Sequence, residues 1–396
     1  MNARSPRILI APACYKGTLS AGEAAEIMQS ALREALGDTV DLQVCPIADG
    51  GDDTLQVLSQ SWAQARLNSL RVTGPIATMP VQAHYLWEPA AKTVIIESAQ
   101  AHGLKLLGAE RHPVAATSYG VGELIRESVR QHQPDTVVVS VGGSASTDGG
   151  LGALQALGWR FWDDQNYEIQ APLSGGDLGR IHRLERSPLT AGLTAGHSPL
   201  PALRIATDVQ NPLLGPQGAA AVFGPQKGAS AQQCQQLEQG LAHVSALLKR
   251  SFKVDSAALA GAGAAGGLAF GLLHCSENAQ LISGSHWIAQ ALGLHEKVAA
   301  ADIILTGEGR FDATSLGGKA VGHLLALAGD KPVFLLPGQC QSGLPLPNSS
   351  YCQPLAQDEA SVQAAMAKPK EALREAVLRV AARQVLPLLK NHLPAS

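Results

Sequence analysis

Short apolar runs that stop abruptly at Gly, Pro or a small polar residue constrain this chain more than any other feature. They span Arg7 to Ala11, Val40 to Ala48, Thr93 to Glu97, Thr136 to Val141, Leu203 to Thr207, Asp302 to Thr306 and Pro332 to Leu336. Runs this short and this continuously apolar read as strands covered on both faces. Most are followed by helical periodicity, so the pattern predicts parallel α/β layers. The helices expected are Ala21 to Leu36, Asp53 to Ala65, Gly120 to Gln131, Leu151 to Trp159, Ala231 to Arg250 and Lys319 to Ala328, with a last one over Glu359 to Asn391 broken near Pro369. Between Val72 and Trp87 the pattern shortens, and Val81 to Leu86 reads as antiparallel strand, which suggests an α+β insertion. Asp163 to Leu200, with Pro172, Gly175-Gly176, Pro188 and Pro199, reads as a long loop or a crossing between elements. A chain of 396 residues has room for two domains.

Charge and cysteine usage exclude several classes. A net charge of −3, with no long Lys/Arg run, gives no field for nucleic acid, so an anionic substrate would need local cations. No apolar run approaches the roughly 20 residues of a membrane helix, and no basic segment precedes a long apolar core at the amino end; the reading is a soluble cytoplasmic protein. The six cysteines form neither a CxxC pair nor a Cys/His zinc spacing and read as reduced thiols.

The 41 glycines exceed the ~7% of an average chain, and they gather where apolar runs end. Glycine there lets backbone N–H groups approach an anion. In "APACYKGTLS", Pro12 ends a strand's ladder, Ser20 to Glu23 is a capping box that opens a helix, and Lys16 falls in the loop at a strand's carboxyl end, where open α/β sheets bind ligands. Val138 to Gly150, "VVSVGGSASTDGG", runs from strand through small hydroxyl residues into a helix, which suits a phosphate. The other reading of that stretch is a tight turn capped by Ser146 or Asp148.

Two nucleotide motifs nearly match and mislead. "GAGAAG" at Gly261 to Gly266 satisfies GxGxxG but follows no β-branched strand, and "ATSLGGKA" at Ala313 to Ala320 lacks the first Gly and the final Ser/Thr of a P-loop. Carboxylates recur at strand ends instead: Asp49 and Asp52; Asp208 beside Asn211; Glu308 and Asp312 flanking Arg310. Each could be a helix cap. Three such sets beside Lys16, Arg310 and Lys319 are more fully explained as parts of a metal-assisted phosphoryl transferase.

Together "APACYKGTLSA", "IADGGDDT", "VGGSASTDGG", "DVQNPLLGPQGAAAVFGPQKGA", "GAGAAGGLAFGLL" and "TGEGRFDATSLGGK" resemble the type I glycerate kinase family, in the same order from about Ile8 to about Gly338. The resemblance implies a kinase that uses ATP and Mg²⁺ to phosphorylate D-glycerate on its 2-hydroxyl. It implies two α/β domains: a Rossmann-like parallel-sheet domain built from both chain ends (residues 1–72 and 290–396) and an inserted α+β or α/β domain (residues 73–289). On this reading Lys16, Asp49, Asp208 and Arg310 are catalytic, and Lys16, Asp52, Asn211, Arg310 and Lys319 bind substrate. Gly142, Gly143, Ser144, Ser146 and Thr147 cradle ATP phosphates, while Asp208, Glu308 and Asp312 are candidate Mg²⁺ ligands. The chain departs from the family at Ala13 and Cys14, where an acid and a hydroxyl are usual, at Asp52-Asp53, where Glu-Gly is usual, and at Gly317, where His is usual.

The departures leave two further readings open, a kinase of another small hydroxy acid and a non-catalytic binding relative. A nicotinamide oxidoreductase would need more than the weak GAGAAG. The residues leave the oligomeric state open between a monomer and a homo-oligomer.

Overall fold

The computed structural model describes residues 4–51, 53–186, 201–346 and 349–392. In chain order the strands are β1 (Arg7–Ile10), β2 (Asp41–Val44), β3 (Arg66–Thr73), β4 (Pro80–Glu88), β5 (Thr93–Glu97), β6 (Thr136–Ser140), β7 (Arg160–Trp162) and β8 (Arg183–Glu185). They continue with β9 (Ala202–Ala206), β10 (Gln280–Ile282), β11 (Ile303–Thr306), β12 (Arg310–Phe311), β13 (Val333–Leu335), β14 (Gln339–Cys340) and β15 (Ser350–Cys352). The chain divides into two compact units, one of Met1–Asp49, Gln56–Ser61 and Ser285–Ser396, the other of Gly50–Leu55 and Trp62–Gly284.

The first unit holds a five-stranded sheet in the order β2-β1-β11-β13-β15, with every pair parallel. Ile8, Leu9 and Ile10 are all buried, because helices cover a parallel sheet on both faces. The helix Ala21–Leu36 starts at the expected capping box, where Ser20 Oγ accepts from the Glu23 N–H. Its Met28, Ala31, Leu32 and Leu36 pack with Leu373, Val377 and Val380 of the helix Pro369–Val380. Pro369 separates that helix from Glu359–Ala367, as its missing N–H requires. Numbered by appearance, the sheet order is 2-1-3-4-5, the flavodoxin-type variant of the doubly wound fold. The order reverses between β1 and β11, the place where such sheets bind ligands.

The second unit holds a six-stranded sheet in the order β3-β4-β5-β6-β9-β10. Its first two pairs are antiparallel and the rest parallel. The antiparallel stretch expected at Val72 to Trp87 is β3 and β4, joined from Arg66↔Trp87 to Thr73↔Pro80. That eight-residue ladder ties residues 66–72 to the second sheet, although the sequence grouped them with the first domain. The expected loop at Asp163 to Leu200 is partly structured: the helical turn Gly175–Arg180 precedes β8, which pairs with β7, and the Arg183 guanidinium stacks on Trp162. Residues 187–200 of that stretch lie outside the described residues. Among the described residues no helix is long and apolar enough to cross a membrane.

Candidate functional site

In the first unit, two loops leave the sheet on either side of its reversal point. The loop after β1 continues alongside β11: Ala11 N–H donates to Leu305 O at 2.8 Å and Ala13 N–H to Gly307 O at 2.8 Å. It then closes on itself, because Tyr15 N–H donates to Leu19 O at 2.9 Å and Leu19 N–H to Tyr15 O at 3.0 Å. Gly17 takes φ +83°, the left-handed geometry that lets so short a turn close, and Lys16 stands exposed at the tip. Tyr15 anchors the turn, being buried and donating its hydroxyl to Leu336 O at 2.5 Å. A Cβ at Gly307 would collide with that hydroxyl, so glycine is required beside it. The opening motif therefore builds a braced turn that presents one ammonium.

The loop after β11 carries the carboxylates. Glu308 is half-buried, its Oε1 is buried without a hydrogen-bond partner, and burial pushes its carboxyl up to about 7. Ser315 and Lys319 oppose that rise, while the negative charges of Asp49 and Asp312 add to it. Asp312 caps the helical turn Ala313–Leu316: its Oδ1 accepts from Thr314 N–H at 2.9 Å and Thr314 Oγ1 at 2.6 Å, and its Oδ2 lies 3.7 Å from Arg310 Nε. Lys319 Nζ donates to Thr314 Oγ1 at 2.8 Å. Asp49, Glu308, Arg310, Asp312 and Lys319 thus share one network. The Arg310 side chain is 69% exposed and so remains open to a ligand.

Among the described residues no group of three or more His, Cys, Asp or Glu side chains is arranged to hold a metal ion. Magnesium in phosphoryl transfer keeps several waters and takes only one or two carboxylates besides the phosphates. The partnerless Glu308 Oε1 fits that hard-oxygen role. Asp52 lies outside the described residues.

In the second unit the expected phosphate loop follows β6. Its outer surface belongs to Gly142, half-buried, and Gly143, exposed with φ +61°. Ser144, Ser146 and Thr147 are buried, at 6%, 0% and 0% exposure, and face inward. Ser146 Oγ bonds His102 Nδ1 at 3.0 Å. From below, Lys227 Nζ donates to Ser146 O at 2.5 Å, Ser144 Oγ at 3.0 Å and Thr147 Oγ1 at 3.5 Å. The two hydroxyls expected at Ser146 and Thr147 to hold phosphate are therefore used within the protein, which leaves Gly142, Gly143 and the edge of Ser144 at the surface of the loop. Asp208 Oδ1 accepts from Ser283 Oγ at 2.8 Å beyond β9, and Asn211 Nδ2 donates to Gln217 O at 2.7 Å.

Lys227 ends the turn Pro225–Lys227, 2% exposed. Burial pushes its ammonium down to about 7, and Asp148 opposes the fall. Asp148, fully buried, accepts from Ser118 N–H and Ser118 Oγ, both at 2.7 Å, and from Gly150 N–H at 3.1 Å. Burial holds His102 neutral, down to about 3. Sequence reasoning did not single out Lys227, because one Lys inside "GPQKGA" carries no sign of burial. The GAGAAG segment completes the packing. Gly266 has φ +69°, and a Cβ there would collide with Ser146 O and come within 2.8 Å of Lys227 Nζ. These glycines admit backbone against backbone.

The model of the Glycerate kinase family matches residues 8–385. The chain is 38% identical to Glycerate 2-kinase of Escherichia coli K12 over 79% of each chain. It is 37% identical to a glycerate kinase of Haemophilus influenzae over 84% of this chain and 85% of that one. A crystal structure from Salmonella typhimurium LT2, described as a candidate glycerate kinase 2, superposes with a TM-score of 0.76 at 34% identity, covering 98% of this chain and 100% of that one.

Proposed function

The chain belongs to the glycerate kinase family, and from that premise we propose that it transfers the γ-phosphoryl group of ATP to the 2-hydroxyl of D-glycerate. The products are 2-phosphoglycerate and ADP. The observation that carries this reading is Glu308, a half-buried acid with a partnerless oxygen, held among Asp49, Lys319 and the Arg310–Asp312 pair beside the reversal point of the first sheet. Such an arrangement suits a divalent cation and a small anionic substrate together.

The substrate hydroxyl oxygen forms a bond to the γ-phosphorus as the bond to the ADP oxygen breaks. Asp49 orients the hydroxyl and takes its proton. Lys16 and Arg310 bind the carboxylate and the phosphoryl oxygens, Arg310 through the planar fork that matches either group. Glu308 and Asp312 offer oxygens to Mg²⁺, which when bound neutralises phosphate charge. Gly142 and Gly143 receive the nucleotide phosphates on backbone N–H groups. Phosphoryl transfer through a loose transition state depends on positioning and charge more than on proton removal, which accommodates Ala13 where the family usually has an acid.

Incubation with ATP, Mg²⁺ and D-glycerate, followed by phosphorus and proton NMR, tests the reading. The expected product is 2-phosphoglycerate. Formation of 3-phosphoglycerate would correct the position of transfer, and ADP production only with another hydroxy acid, such as L-glycerate or tartronate, would correct the substrate.

A further inference from the structure

We propose that Lys227 is a positioning residue that holds the Gly142–Thr147 loop in its ligand-ready shape from inside the second unit. This rests on reading that loop as the nucleotide-phosphate site.

Three acceptors on the loop, Ser144 Oγ, Ser146 O and Thr147 Oγ1, converge on one ammonium that solvent does not reach. In its protonated form the Lys227 side chain has three protons to donate and no lone pair, so three oxygen acceptors use it completely. Nothing is left for a ligand, and Lys227 is not a catalytic residue. Its contacts cover three of the four positions that follow Gly143, the exposed residue of the loop. The fourth, Ala145, is fixed by its N–H donating to His102 O at 2.8 Å, and Leu104 N–H donates to Gly143 O at 2.8 Å. The inner wall of the loop is therefore pinned at successive residues, with Lys227 supplying the contacts on one side and His102 and Leu104 those on the other.

An interior ammonium is tolerated only with a compensating charge and hydrogen bonds. Asp148, at the far end of the same loop, supplies the charge, and Ser118 and Gly150 hold Asp148 in place. Gly266 supplies the space, since any side chain there would crowd Nζ. Three separate segments are thus shaped around this one side chain. A positive charge behind a backbone N–H cradle, in a medium of low dielectric, also favours an anion on the cradle's outer face.

The test compares the full-length wild type with Lys227→Met, which keeps the stem and removes the ammonium. Two quantities are read: hydrogen exchange at amides 143–147, and the Kd of an unreactive ATP analogue with Mg²⁺ by calorimetry. In Lys227→Met the exchange is expected to accelerate at least ~10-fold. The analogue Kd is expected to rise about 10-fold, equivalent to 1.4 kcal/mol, while the glycerate KM stays within about two-fold. Unchanged exchange or an unchanged analogue Kd overturns the proposal, the second by reducing Lys227 to a purely structural role. A wild type that binds no analogue sinks the nucleotide reading of the loop, and the proposal with it. If Lys227→Met does not fold, Lys227→Met/Asp148→Asn, which leaves no uncompensated charge, is compared with Asp148→Asn alone. The same two shifts are expected between those variants, and their absence overturns the proposal.

Discussion

Lys16 and Lys227 place the same ammonium in opposite settings. Lys16 stands at the exposed tip of a braced turn, beside a reversal in strand order. Lys227 is sealed below a loop, with all its donors used. The first unit keeps cations outside on a rigid support, where a ligand can take them as partners. The second keeps its cation inside and presents mainly backbone. A charge at the surface can act by contact, whereas a buried charge acts through the shape it maintains.

The largest effects expected from breaking this contrast lie on the exposed side. Arg310→Met and Lys16→Met should each lower kcat/KM at least ~10²-fold, on the order of 3 kcal/mol of transition-state stabilisation, with Lys16→Met acting more on kcat than on the glycerate KM. Steady-state kinetics within a few-fold of wild type, with the circular dichroism spectrum intact, would remove either residue from the site.

Glu308 sharpens the comparison, since its burial is intermediate. Its folded pKa, about 7, lies above the ordinary carboxylate value. The folded protein therefore holds a proton that the unfolded chain has released between about pH 4.5 and 7, and Glu308 makes the magnesium-free protein progressively less stable as pH rises through that window. Glu308→Gln should remove the penalty, so the variant should gain up to about 3 kcal/mol over wild type at pH 8 and nearly nothing at pH 4. Activity should fall at pH 8, because the oxygen offered to the cation has lost its charge. Denaturant titrations at the two pH values decide the matter; an equal offset at both would contradict the burial argument.

The smallest effect concerns Asp53, which takes φ +69° where the family usually has glycine. Asp tolerates the left-handed region better than most residues, at a modest cost. Asp53→Gly should change the unfolding free energy by less than about 1 kcal/mol in either direction, because relief of strain is offset by the entropy of a freer unfolded chain. A larger loss would show that the carboxylate itself matters. Gly317, where the family usually has His, has φ −74° by contrast, so its backbone does not demand glycine.

The central strands were legible because parallel strands buried on both faces leave unbroken apolar runs, as β1, β5, β6 and β11 do. The start of β3 at Arg66 was not, since its burial alternates and its residues are largely polar. Nor were β12 and β14, whose two residues each carry no period. At the candidate site, glycine and charge at strand ends pointed to the loops after β1, β6 and β11, from which the proposed site is built. What sequence alone withheld was depth. Ser144, Ser146 and Thr147 read alike as small hydroxyl residues, and only packing decides which way each one points.

The pairing of β1 with β11 also has a consequence during synthesis. Ile8 registers with Ile303, and the Arg7 N–H donates to Asp302 across 295 positions. A ribosome adding ~5–20 residues per second leaves β1 without that neighbour for roughly 15–60 s, long enough for all of Gly50–Gly284 to emerge first. Through that interval Ile8, Leu9 and Ile10 belong to an unprotected strand edge, the kind of segment that recruits foreign strands. Nascent chains released between Gly284 and Ile303 should therefore contain a complete second unit and no complete first one.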